Sequence, residues 1–147
     1  TELVARTLAR LGSARAWVVH GADGLDELST TGYSKVSECR DGAVHTFYVH
    51  PSDVGLAKAP AAALAGGDAA TNAGIVRAVL AGARGPARDV VVLNAGAALF
   101  VAGRAARLAD GLAAAAAAID SGAAQRTLDA LVRWSAAPPL PAGEPAA

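Results

Sequence analysis

The chain changes character at His50-Pro51, and that change limits the folds open to it more than any other feature. Before it lie three short runs of β-branched, aromatic and aliphatic residues: 16–20 (AWVVH), 34–39 (SKVSEC) and 43–49 (AVHTFYV). These read as strands. After it the sequence turns alanine-rich, with few bulky side chains, and reads as successive helices.

Leu3, Val4, Leu8 and Leu11 follow helical spacing and Gly12 stands where a helix closes, so a helix is predicted over 1–11, followed by a turn over 12–15. The run 16–20 is the kind that forms a strand buried on both faces, as in a parallel sheet packed between helices. Arg40-Asp41-Gly42 is a good hairpin turn, which makes the next two strands antiparallel. Helix, turn and buried strand together indicate an α/β fold with a mixed sheet flanked by alanine-rich helices.

Pro51-Ser52-Asp53 can start a short helix through Ala59, and Asp68 is placed to cap a helix over 69–80, with Gly82 beyond its end. Residues 89–102 (DVVVLNAGAALFVA) could begin as a strand, but their length and the small residues at 95–98 favour a buried, closely packed helix. A helix over 105–119 follows, and Asp120 or Ser121 is expected to cap a last one through Trp134. Two regions result. Residues 1–135 form the folded α/β portion, and 136–147 a proline- and alanine-rich flexible tail whose apolar content cannot repay ordering.

Composition narrows the function classes. With 147 residues and 53% hydrophobic content the chain can bury a real core. Lys plus Arg and Asp plus Glu balance at 13 each without a basic stripe or acidic tail, which speaks against a nucleic-acid partner or an electrostatically held membrane surface. The apolar segments around 90–101 and 112–119 are too short, or too interrupted, to cross a bilayer. A single cysteine, Cys39, and no signal-peptide pattern make a reducing cytoplasm the simplest setting. A start at Thr1, within what looks like a helix, suggests a piece of a longer protein.

The best chemical candidate follows the first strand, in VVHGADGLDE (18–27). Ligands of doubly wound folds bind beyond the carboxyl ends of parallel strands, and Asp26 and Glu27 fall near that position. Two adjacent carboxylates suit Mg²⁺, which takes one or two of them together with waters and substrate phosphates. The plainer alternative has Asp26 capping a short turn and Glu27 solvated, and local pattern alone favours it. Gly66-Gly67-Asp68 before a helix invites a phosphate loop, but a carboxylate at that helix end would repel phosphate, so Asp68 reads as an N-cap. His20, His45 and His50 have no metal-ligand spacing and read as sheet-end or surface residues. Cys39 reads as a small core residue. Ser29, Thr30 and Thr31 could donate to a ligand, though loop hydroxyls usually stabilise turns.

In order, VVHGADGLDELSTTG, HPSDVGL, LAGGDAATNAGIVRAVLAGARGPARDVVVLNAGAALFVAG and AIDSGAAQRTLDAL resemble the C-terminal part of the anthranilate phosphoribosyltransferases, collinearly from about Leu3 to Trp134. The resemblance implies an incomplete C-terminal part of the α/β domain of a nucleoside phosphorylase/phosphoribosyltransferase-like fold. It also implies transfer of phosphoribosyl from phosphoribosyl pyrophosphate to anthranilate in tryptophan biosynthesis, and a parent that dimerises through an N-terminal helical domain. By the same resemblance Asp26 and Glu27 help hold Mg²⁺ on the pyrophosphate, and metal binding becomes the favoured role of both. The family's GTGGD loop and the arginine that meets the anthranilate carboxylate belong to earlier sequence, so the isolated chain is expected to be inactive. Two other readings stay open: a non-catalytic nucleic-acid-binding relative, and a nucleoside phosphorylase, for which GLDE is the wrong signature.

Overall fold

The computed structural model describes residues 1–136, so the stretch expected as a tail lies, from residue 137 on, outside the described residues. Helix α1 (Glu2–Arg10) leads through a turn to strands β1 (Arg15–Gly21), β2 (Ser34–Arg40) and β3 (Ala43–Val49). Four helices follow: α2 (Ala69–Leu80), α3 (Pro86–Val101), α4 (Leu108–Asp120) and α5 (Ala123–Ser135). Among the described residues no helix is long and apolar enough to cross a membrane.

The α/β reading holds, and the sheet differs in its pairing. Its order is β1-β2-β3, and both pairings are antiparallel. β1 therefore does not sit inside a parallel sheet among the described residues: it is an edge strand, half-buried along most of its length. Among the described residues its outer side has no neighbouring strand. Beside that edge, an apolar recess of about 200 Å³ lies between β1 and α3, lined by Trp17, Val19, Leu28, Ala97 and Val101 among others.

Strand alternation decides what each face meets. Val19 pairs with Val36 and Val36 with Phe47, and this face packs on Val92, Leu93 and Ala97 of α3. The opposite face carries Cys39 and Ser37 under α1, where Ser37 Oγ donates to Thr1 Oγ1 at 2.8 Å. Cys39 is a buried free thiol, as a small core residue should be. The hairpin closes on Asp41 and Gly42, both at positive φ (49° and 80°), the two-residue turn whose twist matches antiparallel strands. At the far end of the sheet Arg15 donates to Glu38 Oε1 (2.7 Å) and to the Phe100 carbonyl (2.9 Å), tying β1 to the last turn of α3.

The helices depart from expectation in several places, and the one expected from residue 105 starts at Leu108. The segment after Pro51 is a single 3-10 turn, Pro51–Val54, because Gly55 takes the left-handed conformation (φ 75°) and ends it well short of Ala59. A second 3-10 turn, Ala61–Leu64, has no counterpart in the sequence reading. Finally, Asp120 and Ser121 do not cap α5, whose N-cap is Gly122. Asp120 is instead the last residue of α4 and faces α3, where its Oδ1 lies 2.8 Å from Nη2 of Arg88. Arg88 is almost fully buried, its side chain only 3% exposed, and Asp120 at 43% keeps contact with water. A buried guanidinium needs a counter-charge more than a helix start needs a side-chain cap.

Residues 89–101 are helical, with Ala102 as the C-cap, and α3 begins before them at Pro86. The small residues predicted to allow close packing do so where α3 meets α4. A Cβ on Gly96 would lie 2.6 Å from the Leu112 backbone nitrogen, and one on Gly111 would collide with the Gly96 carbonyl oxygen. Glycine is required at both positions for backbone contact. Gly111→Ala is therefore expected to lower the stability of the intact protein containing this chain by about 1–3 kcal/mol, despite alanine's better helix propensity. A lowered urea midpoint is the expected readout, and an unchanged one would mean that the helices have room to part.

Candidate functional site

The site is the loop 22–33 between β1 and β2, and its shape begins with Gly21. The Gly21 N–H donates to the Leu25 carbonyl at 2.8 Å and the Gly24 N–H returns to the Gly21 carbonyl at 2.9 Å, folding the loop back on the strand end. A Cβ on Gly21 would strike the Asp23 carboxylate, so a side chain there would push that carboxylate out of its place in the loop. Gly24 completes it at φ 92°.

Asp23 organises the next layer. Its Oδ2 accepts from the hydroxyls of Ser29 and Thr31, both at 2.6 Å, and its Oδ1 accepts from the Leu25 N–H at 3.2 Å. Ser29 and Thr31 are thus spent on the loop itself, the turn-stabilising role. Thr30 differs: its Oγ1 is buried and without a hydrogen-bond partner among the described residues, while its carbonyl accepts from the Ala59 N–H at 2.9 Å. Desolvation pushes the Asp23 carboxyl upward, but the hydrogen bonds from Ser29, Thr31 and Leu25 together outweigh it and hold it below the ordinary value.

One residue escaped the sequence reading. Leu28 is 1% exposed and belongs to the core, so its backbone groups have left water. The Asn94 side chain of α3 replaces that water: its Oδ1 accepts from the Leu28 N–H at 2.9 Å, and its Nδ2 donates to the Leu28 carbonyl at 2.8 Å and to the Val90 carbonyl at 2.9 Å. The available signal was an amide in the otherwise apolar stretch 90–101.

Asp26 and Glu27 lie between these two anchors, in a bend of the loop, and both are exposed. The hydrogen bonds of the loop run through Asp23, Ser29, Ser34 and Asn94, and Asp26 caps no helix. The capping alternative therefore falls away. Among the described residues no cluster of three or more His, Cys, Asp or Glu side chains has metal-binding geometry, so the pair stands by itself. Two hard, solvent-facing carboxylates fit Mg²⁺ as part of a coordination sphere whose remaining positions go to water and phosphate oxygens.

The other candidates resolve without chemistry. Asp68 accepts from the Thr71 N–H at 2.8 Å, and the Gly67 N–H is taken by Asn72 Oδ1 at 2.9 Å, so a carboxylate already sits at that helix start as its cap. His20 and His45 are exposed on strands. His50 has a structural task that spacing did not suggest, since its Nδ1 accepts from the Ser52 N–H while Asp53 Oδ2 accepts from the His50 N–H, a reciprocal cap on the 3-10 turn.

The pH dependence of the loop follows from Asp23. A carboxyl whose folded pKa lies below its unfolded value, about 3.9 for aspartate, adds stability above that value and loses it as pH falls through the folded one. Amide protection in residues 22–33 of the intact protein, taken relative to the intrinsic exchange rate at each pH, is expected to fall below about pH 4 for this reason, and Asp23→Asn to blunt that acid limb. An acid limb identical in the variant would remove Asp23 from the account.

The chain is similar to known proteins in sequence and fold. Residues 1–125 match the family described as the glycosyl transferase family, a/b domain. The anthranilate phosphoribosyltransferase of Azorhizobium caulinodans is 58% identical over 130 residues, which cover 88% of this chain and 38% of that protein. The crystal structure of anthranilate phosphoribosyltransferase from Thermus thermophilus superposes with a TM-score of 0.81 at 40% identity, over 90% of this chain and 39% of that one. The Saccharomyces cerevisiae enzyme in complex with PRPP and Mg gives a TM-score of 0.74 at 26% identity, over 86% of this chain and 36% of its own. The chain thus spans about two fifths of the length of the relatives it matches. With its sheet, its acidic loop and the helix that pins it all inside the matched residues, the chain belongs to the glycosyl transferase family through that family's α/β domain.

Proposed function

We propose that residues 1–135 are the C-terminal portion of the α/β domain of an anthranilate phosphoribosyltransferase. In the whole protein this domain helps move the phosphoribosyl group of phosphoribosyl pyrophosphate to the amine of anthranilate, with release of pyrophosphate, in tryptophan biosynthesis. The observation that carries the reading is the exposed Asp26-Glu27 pair on a loop anchored on both sides, in a chain 58% identical to a relative of that name. The yeast relative in complex with PRPP and Mg supports magnesium as the ion.

In this reading Asp26 and Glu27 each offer carboxylate oxygens to Mg²⁺ at the pyrophosphate. The ion supplies charge neutralisation for the departing pyrophosphate. The residues of this chain position and orient: Gly21 and Asp23 set the curvature of the loop, and Leu28 and Asn94 hold its far end against α3. The same reading carries a homodimer formed through a helical domain elsewhere in the protein and a reducing cytoplasm, in keeping with Cys39 as a free buried thiol. The balance of 13 basic and 13 acidic residues speaks against nucleic acid as a partner.

The test uses the full-length protein with phosphoribosyl pyrophosphate, anthranilate and Mg²⁺. Asp26→Asn with Glu27→Gln is expected to raise the Mg²⁺ concentration needed for half-maximal turnover by about tenfold or more. An unchanged magnesium requirement would remove the pair from the site. The 147-residue chain alone is expected to give no turnover, and activity from it would overturn its assignment as a portion of the enzyme.

A further inference from the structure

The loop carrying Asp26 and Glu27 is anchored in two different ways. The Asp23 cluster is local, with its side-chain partners all inside the loop. The Asn94 anchor is long-range: the amide on α3 grips both backbone groups of a residue 66 positions earlier in the chain. Its third bond, to Val90 one turn back, fixes the amide plane on its own helix. Around it α3 is apolar, with Val92, Leu93 and Ala97 all buried, so packing alone asks for no amide here.

The geometry points to Asn94 as a positioning residue for the metal site. By holding Leu28, the residue directly after Glu27, it sets where the two carboxylates stand relative to β1 and α3. Its role is that of a partner one step removed from the ion, acting through the Leu28 backbone. This inference rests on the proposed assignment of Asp26 and Glu27 to Mg²⁺.

The test reads metal affinity and backbone protection without turnover. Mn²⁺ is titrated into the full-length protein in the presence of inorganic pyrophosphate, with the free-ion EPR signal as readout, and amide exchange is followed at Leu28. Asn94→Ala is expected to weaken the apparent Mn²⁺ affinity about tenfold or more and to speed exchange at Leu28. Asn94→Asp keeps the acceptor for the Leu28 N–H but loses both donated bonds, so an intermediate loss is expected. Should the alanine variant fail to fold, the aspartate variant decides. Val92→Ala, a packing change on the same helix that removes none of the loop's hydrogen bonds, is expected to lower Tm while leaving Mn²⁺ affinity unchanged.

Affinity unchanged in the Asn94 variants, or lowered as much by Val92→Ala, would overturn the positioning role and leave Asn94 a stabiliser of the fold. If that result comes with weakened binding in Asp26→Asn with Glu27→Gln, only the positioning role falls. If the double carboxylate variant also binds Mn²⁺ normally, the proposed metal role of the pair falls with it.

Discussion

Leu28 brings backbone into the core at a point where the chain is neither helix nor strand, and every feature of the site depends on how that is offset. Burying a leucine side chain yields about 1.5–3 kcal/mol. Leaving its N–H and C=O unpaired would cost about 1–3 kcal/mol for each group, enough to cancel the gain. The Asn94 amide presents one acceptor and two donors, and it pairs both groups in the manner of a neighbouring strand. The loop can then be rigid where it enters the core and solvent-facing one residue earlier, where Asp26 and Glu27 stand.

That arrangement requires α3 to be held in place, and its two ends are fixed by different means. At the start, the buried Arg88 is matched by Asp120 of α4, with Arg84 approaching the same carboxylate at 3.4 Å. Neither Nη1 nor Nη2 of Arg88 makes a hydrogen bond among the described residues, so the contact with Asp120 is mainly one of charge. At the other end, Arg15 reaches the Phe100 carbonyl and lies over the Phe100 ring at 4.0 Å, joining a helix C-terminus to the first strand. Between them, Gly96 and Gly111 let two helical backbones touch. The alanine-rich character of the second half is thus a packing device: helices without bulky side chains approach closely and hold Asn94 at a fixed distance from the sheet.

Much of this was legible in the residue pattern, and the misses share a cause. The hairpin at Asp41-Gly42, the Asp68 cap and the extent of α2 rest on interactions within a few residues, which local chemistry determines. The Asp-Glu pair was visible as a candidate, but its freedom from capping was not, because that depends on Asp23 and Asn94 taking up the polar groups of the loop. The expectation for Asp120 failed for a similar reason. A local rule made it a cap, and a buried guanidinium on another helix claimed it. β1 looked like an inner strand because its apolar run says only that it is covered somewhere, not which neighbour pairs with it.

By itself, then, the sequence determined the order of the main elements, the hairpin turn, the close packing of the small-residue helices, and through its motifs the family. Spacing along the chain carries those features, since each is set by a residue and its near neighbours. Only the tertiary structure decided that Asn94 is the clamp, that Ser29 and Thr31 serve Asp23, and that Asp26 and Glu27 are left free. Each of these depends on which polar group lies nearest once the chain has folded, and a buried donor or acceptor takes the nearest partner in space whatever its distance in sequence.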